Sequence, residues 1–154
     1  MIVTLENAKQ LLADYENPVI LLTPVFGIEP KYTRILWMKL AKPERKYWVL
    51  QKDITMRLSN GNLHRIRKGL KTDLSSVPRL LHGVASPMGD FNLAAILHDD
   101  LYINKGCTRN FADREMLIWS EAINPNPDDN HIRYQMVKRF GQKWWDGKGE
   151  FIEQ

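Results

Sequence analysis

The feature that most constrains this chain is an Asn60-Gly61 dipeptide between two short alternating runs, followed from residue 90 onward by helix patterns alone. Asn-Gly supplies the two positive-φ positions of a type I′ turn, which joins antiparallel neighbours. Before it, Ile54, Met56 and Leu58 alternate with Thr55, Arg57 and Ser59; after it the chain returns over 62–68. This predicts a hairpin with one buried and one wet face. Asp90 can cap a helix over 91–103, with Gly106 as its stop. Asn110 can cap a second over 111–123, closed by Asn124-Pro125, and Asp128 or Asp129 can start a third that runs to residue 140 before Gly141. Strands first and helices afterwards predict an α+β domain, with an N-terminal hairpin or meander packed on a C-terminal helical half.

The remaining segments are less periodic. Leu5, Ala8, Leu11 and Leu12 place an amphipathic helix over 4–15, ended by Pro18. Short apolar runs at 19–22, 35–40 and 47–50, bounded by Pro24, Pro30 and Pro43, suit strands. Residues 69–89 read as irregular, which in a compact domain marks a functional loop or a short helix. With 154 residues and no repeat or low-complexity stretch, the chain is expected to form a single domain over 1–154.

Candidate chemistry lies in the predicted helix pair. His98 and Tyr102 are four residues apart and share a face, while Asp99 is turned by about 100°. The second helix brings Asp113 in its first turn, with Ala112, Met116 and Trp119 for packing. A short connection makes the helices antiparallel, which sets Asp113 against the His98 ring. A histidine held by a carboxylate is a competent general base, and Asp99 is then available to a hard cation. The same pattern equally fits a structural histidine that bridges two helices.

At these residues the chain resembles two families. Pro87, Asp90 and Ala94-Ala95-Ile96-Leu97-His98-Asp99-Asp100-Leu101-Tyr102, with Ala112-Asp113-Arg114, are similar to the two catalytic helices of secreted-type and viral phospholipases A(2). Ala94, Ala95, Leu101 and Ala112 stand where the secreted enzymes have cysteines, as suits packing in a reducing compartment. That resemblance implies His98 as base, Asp99 as calcium ligand, Asp113 as the partner of His98, and Tyr102 as a hydroxyl bound to the buried aspartate. The glycine-rich calcium loop has no counterpart, since 70–88 offers only Gly83; Asp73, Ser75 and Ser76 are the oxygen donors at hand. Thr72-Asp73-Leu74-Ser75-Ser76-Val77-Pro78-Arg79, with the His-Asp and Ala-Asp-Arg motifs, resembles the phage and prophage family called domain of unknown function 1353, over about residues 45–125. This second resemblance implies a phage or prophage origin and no defined activity.

Asp73 to Pro78 also fits an Asx or Ser turn, and Arg79 a phosphate contact. Arg114 is expected in a surface salt bridge with Glu115 or a neighbour. His64 and His82 before His98-Asp99 invite a metal-phosphohydrolase reading, which the hairpin position of His64 disfavours. Trp144-Trp145, Phe140 and Phe151 suit either a membrane or partner patch or a core contact. The formal charge of +4 favours anionic surfaces, but no basic run marks a specific nucleic-acid arm. Expected partners are a phospholipid membrane or other phage structural proteins. Cys107, the only cysteine, excludes an internal disulfide and a thiolate zinc site. With no signal peptide and no apolar run approaching roughly 18 residues, synthesis in a host cytoplasm is expected, with packaging into a virion compatible. The functional expectation is therefore a calcium-dependent esterase resembling phospholipase A(2), or else a virion or assembly component that keeps the helix pair as architecture.

Overall fold

The structure, a computed structural model, describes residues 2–8, 22–26, 46–72 and 92–147. Within them the chain is α+β, with strands leading and helices following. Strands β1 (Ile2–Val3), β4 (Ile54–Arg57) and β5 (Leu63–Ile66) form one sheet in the order β1-β4-β5. Strands β2 (Leu22–Phe26), β3 (Lys46–Leu50) and β6 (Lys71–Thr72) form another in the order β2-β3-β6. Four helices follow: α1 (Asn92–Asn104), α2 (Arg109–Ile123), α3 (Pro127–Phe140) and α4 (Gln142–Trp145).

The hairpin forms where expected, but its turn is different. Arg57 pairs with Leu63, and the Leu58 amide bonds the Asn62 carbonyl at 2.8 Å. That leaves a loop of Ser59, Asn60 and Gly61, closed by the Gly61 amide on the Leu58 carbonyl. Gly61 takes φ 84°, whereas Asn60 stays out of the left-handed region. This is a three-residue loop with a left-handed glycine rather than a type I′ turn. The alternation holds: Ile54, Met56 and Leu58 are buried, and across the ladder Ile66 and His64 share their face.

Other elements depart from expectation for identifiable reasons. The strand expected at 19–22 is observed at Leu22–Phe26 and runs through Pro24, opposite Trp48. Among the described residues β2 is an edge strand, where a missing N–H is tolerated. The region expected to be irregular from residue 69 opens with β6, antiparallel to β3. Two-residue strands β1 and β6 are too short to carry a periodic signal. The amphipathic helix expected at 4–15 is described only through Ala8, where Thr4 and Asn7 cap each other reciprocally. The strand expected at 35–40 lies outside the described residues.

Helix α1 is the centre of the fold. Every residue from 93 to 102 is buried, so it is enclosed on all sides rather than amphipathic. Its Leu93, Ile96, Leu97 and Leu101 join Met56 and Ile66 of the sheet and Trp119 of α2 in one core. Each such fully buried apolar side chain contributes roughly 1.5–3 kcal/mol. At its end Lys105, not Gly106, adopts the left-handed conformation, with φ 51°. Helix α2 is capped by Thr108, whose side chain accepts from the Phe111 amide, and α3 by Asn126. Both caps lie before those expected, because each expected residue sits inside its helix's first turn.

The Glu115 carboxylate fastens α2 to the hairpin loop, accepting from the Ser59 amide at 3.2 Å and from its hydroxyl. Glu115 is therefore occupied by Ser59 rather than by its neighbour Arg114. At 1% exposure, Glu115 makes this contact in the interior. Glu115→Ala is expected to lower the unfolding free energy in urea by about 1.5–3 kcal/mol. Equal stability of variant and parent would show that the contact contributes nothing.

Candidate functional site

Three consecutive polar residues on buried α1 determine the local chemistry. Successive helical side chains diverge by about 100°, and His98, Asp99 and Asp100 accordingly reach three different elements. His98 Nε2 meets Asp113 Oδ1 of α2 at 2.9 Å. Asp99 Oδ2 accepts from the Thr72 hydroxyl of β6. Asp100 Oδ2 meets His64 Nε2 of β5 at 2.6 Å. The cluster expected of His98, Asp99 and Asp113 thus divides: the first and third join, and Asp99 turns to the sheet.

Asp113 is 1% exposed, and each of its oxygens has a partner. Oδ1 accepts from His98 and, at 2.6 Å, from the Tyr102 hydroxyl. Oδ2 faces the Arg109 guanidinium at 3.4 Å. Arg109 also donates to Gln142 Oε1 at 2.5 Å and to the Lys138 carbonyl, so the carboxylate is linked to α3 and α4. Because Thr108 is the cap, Asp113 lies one turn beyond Arg109 in a helical i,i+4 pair, not in the first turn.

Burial pushes the Asp113 carboxyl upward, but the hydrogen bonds from His98 and Tyr102 and the nearby Arg109 charge outweigh it, and the net shift is downward. The Tyr102 phenol moves far upward, first through burial and then through its bond to the carboxylate. It stays a donor throughout the physiological range. The tyrosine ring lies 4.1 Å from that of His98 and meets Trp145 edge-on at 5.2 Å. Gly141 is required beside it: an added Cβ would fall 2.5 Å from the Tyr102 hydroxyl oxygen and against the Val137 carbonyl.

Next to this clasp, on the far side of Tyr102, opens a groove of about 970 Å³ between the β5–β6 connection and the ends of α1 and α4. His64, Asp100 and Tyr102 reach it; His98 does not line it. Trp144 lines the groove and Trp145 packs edge-on against Tyr102, both half-buried against the core; Phe140 is 50% exposed.

Of the expected site residues, His98, Asp113 and Tyr102 meet, and Asp99 is adjacent but separately bonded. Asp73, Ser75, Ser76, Arg79 and His82 lie outside the described residues, as does Phe151. Among the described residues no group of three or more His, Cys, Asp or Glu side chains could enclose a metal ion. Arg109, Gly141 and the His64–Asp100 pair were not assigned from sequence. Only Arg109 carried a readable signal there, its spacing of four from Asp113.

The family described as "Protein of unknown function (DUF1353)" matches residues 48–137, more than half of the chain, and the chain belongs to it. No curated protein and no solved structure matches. Among the described residues no helix is long and apolar enough to cross a membrane.

A carboxyl whose folded pKa is depressed stabilises the fold fully above its unfolded value, near 3.9, and loses that contribution as pH falls through the lower folded value. Asp113→Asn is therefore expected to reduce stability at neutral pH and to flatten its decline below about pH 4. An unchanged acid limb in denaturant titrations would contradict this. Gly141→Ala is expected to destabilise by about 1–3 kcal/mol through overpacking against Tyr102, readable as a lower Tm.

Proposed function

We propose that this family member is a phage- or prophage-encoded hydrolase, a phospholipase A(2)-like esterase in which His98 activates water. The observation that carries the reading is the His98 Nε2–Asp113 Oδ1 bond of 2.9 Å. A carboxylate at Nε2 fixes the proton there and leaves Nδ1 as the basic nitrogen. Among the described residues Nδ1 has no hydrogen bond. Proton transfer from water to Nδ1 would generate hydroxide for attack on an ester carbonyl, with Asp113 beside the resulting imidazolium; the ester C–O bond then breaks, and Nδ1 returns its proton to the oxygen of the leaving alcohol. Tyr102 and Arg109 hold Asp113 in place without exchanging protons in the step.

Calcium belongs to the same proposal through Asp99 and Asp73. The described residues do not make up its shell, since Asp99 is engaged by Thr72 and no three-ligand cluster surrounds it. The steps above accordingly rest on the chain's own side chains. The basic groove beside Tyr102 supports an anionic phospholipid surface as the partner.

A second reading, a virion or assembly component bound to other phage structural proteins, is favoured by the buried partners of Asp113. Two hydrogen bonds and an ion pair hold its oxygens, and His98, Tyr102 and Asp113 are all buried. Such a clasp stabilises whether or not it catalyses. The two readings separate on fatty-acid release from mixed phosphatidylcholine and phosphatidylglycerol vesicles, with and without calcium. The hydrolase reading predicts release that falls by about 100-fold or more in His98→Gln, the usual contribution of a general base. Equal inertness of the parent and a folded His98→Gln protein would leave only the architectural clasp.

A further inference from the structure

The groove beside the clasp has a character of its own. Five lysines and arginines line it against one carboxylate, that of Asp100. Arg65 is neutralised by its ion pair with Asp53. Among the described residues Arg67, Lys68, Lys71 and Lys105 have no ion pair, and all four border the groove, from two parts of the fold; Lys105 also lies 5.9 Å from the Trp145 ring centroid. Like charges brought together raise their mutual repulsion, which a bound anion relieves.

A built polar pair sits in the wall. The Asp100 side chain is 5% exposed, and it holds His64, 21% exposed, at 2.6 Å. With a carboxylate at Nε2, that nitrogen carries its proton and the ring is held in one orientation. A link between β5 and α1 alone would account for this bond, but not for the four cations that line the same groove.

We propose that the groove binds a phosphate group, monoester or diester, with Arg67, Lys68, Lys71 and Lys105 supplying the charge and His64, held by Asp100, fixed in the wall beside it. Phosphate combines one to two negative charges with several acceptor oxygens, which matches a set of mixed cationic donors. A volume of about 970 Å³ is that of a site for a small ligand or headgroup rather than a track for a polymer. The inference does not rest on the hydrolase reading, because His98 lies outside the groove.

The test is calorimetric titration of the full chain with glycerol phosphate, alongside co-sedimentation with phosphatidylglycerol or phosphatidylcholine vesicles. Saturable binding of glycerol phosphate is expected, weakened roughly fivefold or more by Arg67→Glu, as for loss of a basic residue at an anionic surface. His64→Gln should also weaken it, and Arg114→Glu, an exposed charge reversal outside the groove, should not. Phosphatidylglycerol sedimentation displaced by glycerol phosphate would identify a lipid headgroup as the source; glycerol phosphate binding without sedimentation would identify a soluble ester. Both outcomes support the site, and exposed Arg67 carries the test should His64→Gln misfold. The proposal is overturned if neither probe binds, if Arg114→Glu weakens binding as much as Arg67→Glu, or if only a single-stranded oligonucleotide binds. These are binding readouts, so loss of ester hydrolysis would not register in them.

Discussion

A buried carboxylate is tolerated only where donors replace the water it has lost, and the helical half of this protein is arranged around one such replacement. Asp113 receives a histidine, a tyrosine and an arginine from three points along two helices. Arg109 then extends the network to α3 and α4, whose short connection must include Gly141 so that the Tyr102 hydroxyl fits. Removing one partner from a buried ionic network costs about 3–5 kcal/mol, because the others are left uncompensated. The network thus fixes the helix packing whatever chemistry it supports.

The sheet half is tied to the same helix by the residues that follow His98. Asp99 and Asp100 reach β6 and β5, so a run of three polar residues connects α1 to a helix and to both sheets. One consequence is functional separation. The His98–Asp113 pair is enclosed, whereas the His64–Asp100 pair opens on a cationic groove, and Tyr102 lies between them. Any ligand in the groove meets β5, the β5–β6 connection and the ends of α1 and α4.

Much of this was legible in the sequence, and the remainder was illegible for physical reasons. Local signals located the hairpin, its buried Ile54–Met56–Leu58 face, and the three longer helices to within a residue or two. The short connection between the helices predicted that Asp113 meets His98, whereas the contact of Tyr102 with that carboxylate was what the phospholipase resemblance implied. Turn type could not be read from Asn-Gly alone, since the same glycine serves a three-residue loop. Strands β1 and β6 exist only through tertiary pairing. The direction of Asp99 depended on what lay opposite α1, which helical periodicity does not specify. His64 became significant only once β5 placed it on the inward face opposite Met56.

The most direct test of the central claim is the protonation of the His98 ring, observed by nitrogen-15 NMR at neutral pH. The account predicts a protonated Nε2 whose hydrogen is shifted downfield by its bond to Asp113, a signal that moves or disappears in Asp113→Asn. An imidazole protonated at Nδ1 alone, or an Nε2 resonance indifferent to that substitution, would contradict it.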